Sequence, residues 1–143
     1  MRLVQFSVQS NHLPLIVEAD DRRALSRAAQ GLATRLALRL NARLGRRGKV
    51  FASRYHARAL RTPLEVRRAL VYVLHNHRHH HSGSGRPSRF DPFSGATYFD
   101  GFRSAVPPRA IERCVLPVVR ANTWLLRTGW RMHGLISPDE APA

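Results

Sequence analysis

His12 is the residue of this sequence with the clearest potential for chemistry. It follows the polar pair Ser10-Asn11, which is typical of a tight turn, and it opens the segment 12–19. Apolar residues alternate along that segment and indicate a β-strand. An imidazole on a strand beside a turn can reach into a cleft next to the sheet, where it could bind a metal ion or move a proton. Taken alone, however, a strand histidine is more often a surface or hydrogen-bonded core residue.

A histidine-rich run and a single cysteine are two further candidates for a functional role, and the sequence around them does not support one. The run from His75 to His81 is rich in histidine, and such runs can bind metals. It lies at the end of a predicted helix with few carboxylates nearby, so we interpret it as a solvated helix C-terminus, where His and Arg suit the helix dipole. Cys114 is the single cysteine and lies in an apolar run, which predicts a packing residue and excludes an intramolecular disulfide.

The elements that must position His12 are predicted by alternation, helical spacing and turn residues. Asp20-Asp21 and Thr62-Pro63 supply two helix starts, and Gly45 with Gly48 ends the first helix. The predicted elements are strands over 2–8, 12–19 and 50–60 and helices over 22–44 and 64–78. The loop 79–103 contains five aromatic residues, which predicts that its later half packs against the rest of the protein. Short helices anchored by Trp124 and Trp130 are predicted near the C-terminus.

The charge of the chain points to a polyanionic partner. Among 143 residues there are 24 basic and 9 acidic side chains, a formal net charge of +15. Lys49 is the single lysine, and a GC-rich genome could favour arginine in this way, but such a bias does not explain the scarcity of acidic residues. The excess therefore favours nucleic acid as the partner. A hydrophobic fraction of 43% is ordinary for a single globular domain.

The remaining composition predicts a cytoplasmic protein. No apolar run approaches the roughly 20 residues that span a membrane, which predicts no membrane partner. The N-terminal run is broken by Gln5, Ser7 and Gln9 and does not read as a signal peptide.

The segment Ser7–Ala19, SVQSNHLPLIVEA, resembles a known signature. It is similar to the "NH-hydrophobic-H" motif of the HUH single-tyrosine transposases, including the REP-associated tyrosine transposases. Asn11, His12 and most of the flanking residues match that motif. Pro14 stands where the second histidine of the motif is expected.

Tyr72 is the second anchor of the resemblance. Without context, a tyrosine at helical spacing is more often an interface or core residue. Here it lies in ALVYVLHNHRHH, which matches the Tyr-hydrophobic-hydrophobic-x-Asn context of the family through Val73, Leu74 and Asn76. His77 replaces the proline that often follows. The resemblance covers most of residues 3–80.

The resemblance implies an α+β fold with a ferredoxin-like, HUH-type antiparallel sheet and helices on one face. The sheet would lack its first strand, because family members usually begin with a strand and helix that precede this segment. It further implies a partial transposase-like domain over 1–80, an aromatic-containing loop over 81–106 and a helical C-terminal extension over 107–143. A misassigned start, a decayed gene fragment and a rearranged or dimeric sheet are the three open explanations for the missing strand.

The resemblance also implies a reaction. The family cleaves and rejoins single-stranded or hairpin DNA, its tyrosine hydroxyl forming a 5′-phosphotyrosine link while a free 3′-OH leaves. Tyr72 would be the nucleophile and His12 a ligand of a divalent ion, Mg²⁺ or Mn²⁺. Proline offers no ligand at Pro14, so we expect weak ion binding and impaired cleavage. Glu18 is on the same face as His12 but lies well beyond Pro14 along the strand, so Gln9 and His75 are the candidate replacement ligands.

A basic zone near the predicted tyrosine helix would bind DNA. Arginine contacts to phosphate supply affinity without reading sequence, and interleaved aromatic side chains can stack on unpaired bases. Tyr55 is the rival tyrosine, but its context, SRYHAR, matches a strand of the family that is structural or contacts DNA. The predicted DNA-binding residues are Arg46, Arg47, Lys49, Arg54, Tyr55, Arg58, Arg61, Arg67 and Arg68.

Two other functions stay open beside DNA transposition. One is a nucleic-acid-binding protein that keeps the basic surface without the cleavage chemistry. The other is a decayed transposase fragment. A homodimer is possible in each case.

Overall fold

The chain is a small α+β protein, described by a computed structural model over residues 1–78, 89–104 and 117–142. The predicted α+β class is confirmed at this level. The α-helices and strands are β1 (Arg2–Phe6), β2 (Leu15–Glu18), α1 (Arg22–Arg43), α2 (Pro63–His75) and α3 (Trp124–Arg127). Three 3-10 helices cover Asn76–Arg78, Gly95–Tyr98 and Gly129–His133. Within these described ranges, no helix combines the length and apolarity that crossing a membrane requires.

The strands β1 and β2 form the predicted hairpin. They pair antiparallel with a bulge between Leu3 and Gln5. Beyond the strands, the N–H of Ser7 donates to the carbonyl of Pro14 at 3.1 Å, and the N–H of Gln9 donates to that of His12 at 3.1 Å. The turn therefore falls at Ser10-Asn11, as predicted. Because Pro14 has no N–H to return a bond, β2 begins one residue after it, and not at residue 12.

The opposite edge of β1 is partly covered by distant segments. The N–H of Val8 donates to the carbonyl of Phe93 at 2.9 Å, and the N–H of Val119 donates to that of Leu3 at 2.9 Å. Ser7 and Ser94 form an isolated antiparallel bridge between these contacts. The chain thus satisfies backbone groups on this edge with single residues and not with a further strand.

The predicted third strand over 50–60 is wrong. These residues are irregular, and residues 52–59 are all exposed. The sheet has two strands in the described part of the chain. The alternation that suggested a strand sets arginine and histidine against alanine, so the apolar side of such a strand would bury too little area to hold it on a core.

The chain divides into two compact units. The first, here called the basic unit, comprises Met1 and Ala19–Ala59 and contains α1. The helix begins where predicted, with the Asp21 carboxylate accepting the N–H of Ala24 at 2.6 Å. It ends within one residue of its predicted boundary, before Gly45, whose φ of 59° suits glycine. No residue of α1 is buried.

The second unit, here called the core unit, comprises Arg2–Glu18 and Leu60–Ala143. Its core joins the hairpin, α2 and the C-terminal segment, and its largest fully buried side chain is Trp130. The helix α2 begins with a capping box, in which Thr62 accepts from the N–H of Glu65 and Glu65 accepts in return. The buried hydrophobic side chains of α2 are Val66, Leu70, Val71, Val73 and Leu74.

The aromatic residues of the predicted loop pack into this core, as expected for its later half. Phe102 makes edge-on contacts with Phe90 and Phe99, each with ring centroids 5.1 Å apart. Phe99 in turn stacks on Trp130 at 5.5 Å. Phe93 is the exception and is 67% exposed. The helical extension supplies Trp130 to the same core, so α3 and the 3-10 helix that follows it are part of the core unit.

Replacement of Gly101 by alanine is expected to destabilise the core unit. A Cβ at this position would lie 2.7 Å from Cζ2 of Trp130 and would also meet the ring of Phe99. Both rings are held by packing, so we expect a loss of about 1–3 kcal/mol in the free energy of unfolding, measured by urea denaturation. Gly31→Ala is the matched control, because its Cβ would meet no atom closer than 3.9 Å. A Gly101→Ala protein as stable as the parent would contradict the packing described.

Glu18 clamps the start of α3 to the end of β2. Its carboxylate accepts the N–H of Asn122 at 2.8 Å and both the N–H and the hydroxyl of Thr123 at 2.7 Å. Burial alone would raise the pKa of Glu18, but these hydrogen bonds outweigh it and leave the pKa below its ordinary value. Glu18 is therefore a structural residue whose carboxylate is occupied by the start of α3.

The clamp predicts a pH-dependent contribution to stability. Because the folded pKa of Glu18 lies below the unfolded one, its stabilisation is full above the unfolded pKa and is lost as the pH falls through the folded pKa. Glu18→Gln should therefore cost about 1–3 kcal/mol at pH 7 and progressively less in acid, measured by denaturation between pH 7 and 3. Asp20→Asn, at an exposed position, is the control for charge. A deficit that does not shrink in acid would contradict the clamp.

Candidate functional site

The hairpin and α2 bring three side chains together in the core unit. His12 lies at the tip of the hairpin, directly after the turn. Tyr72 is in the last turn of α2, and Asn76 is the residue that ends this helix. Residues four apart share one face of a helix, so Tyr72 and Asn76 both reach the imidazole. We call this group the His12 cluster.

Both nitrogens of the His12 ring are within hydrogen-bond distance of a neighbour. Nδ1 is 2.7 Å from Oδ1 of Asn11, and Nε2 is 2.8 Å from Nδ2 of Asn76. The amide oxygen of Asn11 can only accept, so the ring proton lies on Nδ1. Nε2 then carries the single acceptor lone pair of the ring, which the Asn76 amide shares with a second donor.

The hydroxyl of Tyr72 is that second donor. Its oxygen lies 3.4 Å from Nε2 of His12. Tyr72 is 41% exposed, whereas Asn76 is 1% exposed. An exposed phenol beside the lone pair of an imidazole can meet a substrate from solvent and lose its proton to the ring. The structure thus brings together the two residues that the sequence singled out, while their roles remain predictions.

The tip of the hairpin is held by a buried carboxylate that the sequence did not reveal. Asp91 is 1% exposed and accepts from the hydroxyl of Ser7 at 2.7 Å and from the Gln9 amide at 3.1 Å. The Gln9 amide also donates to the Ser7 hydroxyl. Gln9 is in turn bonded through its backbone to His12, so this network fixes the turn that presents the imidazole.

The donors in the cluster do not fit the divalent ion that the resemblance implies. That ion would need two imidazoles on one strand and a third ligand, yet Pro14 contributes none. His12 is the one imidazole of the cluster, because Tyr72 contributes a phenol and Asn76 an amide. Among the residues in described positions, no group of three or more His, Cys, Asp or Glu could hold a metal ion. We therefore derive no chemical step through a metal.

The other residues considered as replacement ligands lie elsewhere. Gln9 belongs to the Asp91 network. His75 is fully buried, with its ring 5.8 Å from that of Phe102. The prediction of a solvated helix C-terminus is therefore wrong at His75, which is a core residue and does not join the His12 cluster in the structure. His79, His80, His81 and Cys114 lie outside the described residues.

Most of the predicted DNA-binding residues are exposed. In the core unit, Arg61 and Arg68 are exposed, and Arg68 lies one helical turn before Tyr72 on α2. In the basic unit the exposed residues are Arg46, Arg47, Lys49, Arg54, Tyr55 and Arg58. Exposure leaves these side chains accessible to a phosphate, and their contact with DNA remains a prediction.

Arg67 is the exception, because its guanidinium is paired inside the core unit. Its guanidinium is 2.6 Å from Oε1 and 2.9 Å from Oε2 of Glu140, and Nε donates to the carbonyl of Gly134 at 3.1 Å. The hydrogen bonds from Arg67 lower the pKa of Glu140 despite burial. Arg67 therefore ties α2 to the C-terminal segment and has no free pair of donors for a phosphate.

The sequence could have signalled Asn76 but not Asp91. Asn76 follows Tyr72 by four residues on a predicted helix, which places the two side chains on one face. Asp91 is far from Ser7 and Gln9 in the chain, and nothing in its local sequence distinguishes it from a turn residue. Its role exists only because the loop 89–94 folds back against β1.

Comparison with known proteins adds no relative to this description. No family model, no curated protein and no solved structure matches the chain. The similarity to the HUH single-tyrosine transposases therefore remains a prediction from the motifs around His12 and Tyr72.

Proposed function

We propose that this chain cleaves and rejoins single-stranded DNA through a 5′-phosphotyrosine intermediate, as a transposase of the HUH single-tyrosine type. The observation that carries the proposal is the exposed Tyr72 hydroxyl 3.4 Å from the His12 imidazole. The proposed family fold is ferredoxin-like, and the hairpin followed by the tyrosine helix would be its shared part. The motif match supports the proposal independently of this distance.

The proposed step exchanges one phosphodiester for another. The Tyr72 oxygen bonds to phosphorus, and the bond from phosphorus to the 3′ oxygen of the preceding nucleotide breaks. The phenol proton passes to Nε2 of His12, which later releases it to water, and the departing 3′ oxygen takes up a proton from water. The products are a 5′-phosphotyrosine and a free 3′-OH. The reverse attack by a 3′-OH restores the DNA strand, so no outside energy is required.

Three neighbours of the reacting pair support this assignment. Asn11 holds the ring proton on Nδ1, which leaves Nε2 basic. Asn76 donates to the same nitrogen and orients the ring toward α2. Arg68 is exposed one turn before Tyr72, where its guanidinium could contact the phosphate and stabilise charge in the transition state.

A covalent-capture assay tests the proposal. The chain is incubated with hairpin-containing single-stranded oligonucleotides labelled at either end, with Mn²⁺ or with EDTA. We expect the 3′ label to remain on the protein in denaturing gels, and the 5′-labelled fragment to be released with a 3′-OH that a polymerase can extend. Adduct formation in EDTA supports His12 as the base. Absence of an adduct under every condition would overturn strand transfer.

A second candidate function is binding of nucleic acid without cleavage. It is favoured by Pro14, which stands where the family motif has its second metal-binding histidine. Salt-sensitive DNA binding without any adduct in the same assay would establish this function in place of the first.

A further inference from the structure

The basic unit carries much of the positive charge of the chain. Between Arg22 and Ala59 there are eleven of the 24 basic residues and no aspartate or glutamate. The two aspartates of the unit, Asp20 and Asp21, precede α1, and Asp21 is occupied in capping it. The remainder of the unit therefore presents cations without internal counter-charges.

The C-terminal half of α1 orders these cations into a stripe. Arg35, Arg39 and Arg43 follow one another at intervals of four residues, and all three are exposed. A helix rises about 1.5 Å per residue, so successive guanidiniums leave the helix about 6 Å apart along one side. Arg46 and Arg47 extend the stripe past the end of the helix and are also exposed.

The arginine stripe does not contribute to the stability of the basic unit. Like charges four residues apart destabilise a helix by about 0.2–0.5 kcal/mol per pair. Within the part of the chain that the structure describes, Arg35, Arg39 and Arg43 take part in none of the ion pairs, which include those of Arg2, Arg67, Arg89 and Arg131. A row of repelling arginines that has no carboxylate partner is expected where an external polyanion supplies the opposite charge.

We propose that the stripe formed by Arg35, Arg39 and Arg43, continued by Arg46 and Arg47, is a sequence-independent binding surface for the phosphate backbone of nucleic acid. Guanidiniums suit this role because they pair bidentately with phosphate oxygens. A row of cations with a regular spacing suits a row of phosphates. The surface is distinct from the His12 cluster, and its activity does not depend on the proposed strand transfer.

An anionic membrane is a less suitable partner for the same helix. A helix that lies on a membrane needs one continuous apolar face beside its basic face. Exposed leucines do occur in α1, with Leu38 at 66% and Leu40 at 43% exposure. Leu38 and Leu40 project about 160° apart. The side that Leu32, Leu36 and Leu40 share also carries Arg43 about 20° and Arg39 about 60° from Leu36, so the apolar and basic residues do not occupy separate faces.

The test compares two double variants of the full chain with equal loss of charge. Arg35→Gln with Arg39→Gln removes two members of the stripe, and glutamine preserves helix propensity. Arg120→Gln with Arg127→Gln is the matched control, since both arginines are exposed in the core unit. Dissociation constants for single-stranded and duplex oligonucleotides of mixed sequence are measured across a salt series. Far-UV circular dichroism checks the helix.

The stripe variant should bind about tenfold more weakly or worse at 0.1 M salt. Its plot of log K against log salt should flatten by about 1.4 for single strands and about 1.8 for duplex, because two phosphate contacts are lost. The control should retain the parent slope. Equal losses in both variants, an unchanged slope in the stripe variant, or tighter binding to phosphatidylserine vesicles than to DNA would overturn the proposal.

The outcome is independent of the covalent-capture assay. A flattened salt slope together with no adduct would support the stripe and reject strand transfer. An adduct together with an unchanged salt slope would support strand transfer and reject the stripe as a binding surface.

Discussion

Tyr72→Phe should abolish the covalent adduct between this protein and single-stranded DNA while leaving DNA affinity unchanged. Phenylalanine retains the ring but lacks the oxygen that would bond to phosphorus, so no phosphotyrosine can form. Because Tyr72 is 41% exposed and its hydroxyl makes one long contact at 3.4 Å, we expect its loss to change stability by less than about 0.5 kcal/mol. Adduct formation is followed by the 3′ label in denaturing gels and by the mass of the intact protein.

Tyr55→Phe is the matched control for this variant. Tyr55 is also exposed, at 48%, and it is the other tyrosine that the sequence analysis considered. Its removal should leave the adduct intact. An adduct that persists in Tyr72→Phe but disappears in Tyr55→Phe would assign the nucleophile to the basic unit and contradict the site proposed here.

Replacement of His12 by alanine should slow adduct formation by about 10²–10⁴-fold, the usual contribution of a positioned general base. The variant removes the nitrogen that lies 3.4 Å from the Tyr72 oxygen and leaves the nucleophile in place. Single-turnover rates measure the effect, and the salt slope of DNA binding should not change. Partial recovery of the rate by added imidazole would show that the variant is folded and that it lacks only the proton acceptor.

The variant Pro14→His separates proton transfer from metal chemistry. It restores an imidazole two residues after His12, where the family motif has its second histidine. If His12 acts as a base, Mn²⁺ should change neither the parent rate nor that of Pro14→His. Two results together would contradict the role of His12 as a base: strong activation of Pro14→His by Mn²⁺, and loss of the parent activity in EDTA. His12 would then be a ligand of the metal ion.

The local elements of this chain were predictable because their signals are local. The helix starts at Asp21 and Thr62 depend on side chains that cap N–H groups three residues away, and the helices begin there. The turn at Ser10-Asn11 depends equally on adjacent residues. Such short-range chemistry is independent of the rest of the fold, so reading it from sequence requires no knowledge of the core.

The sequence was a poor guide wherever the outcome depends on contacts between residues far apart in the chain. Arg67 was predicted from its type to contact DNA, yet its guanidinium is paired with a distant segment. The strand predicted over 50–60 had the right alternation, but strand formation also requires a neighbour to pair with and a core to face. None of these outcomes is encoded within a window of ten residues.

The amino-acid order alone established the α+β class, the hairpin, the two long helices, the surplus of positive charge and the candidates His12 and Tyr72. Only the tertiary structure shows that the Tyr72 hydroxyl lies 3.4 Å from Nε2 of His12. It also shows that the side-chain amide of Asn76 contacts the same ring nitrogen. It also revealed Asp91, whose buried carboxylate holds the hairpin tip in place. The physical reason is sequence separation. Helix caps and turns depend on residues that are close together in the chain, and net charge depends on composition alone. A site depends on contacts between residues far apart in the chain, and burial in the core decides which of them meet.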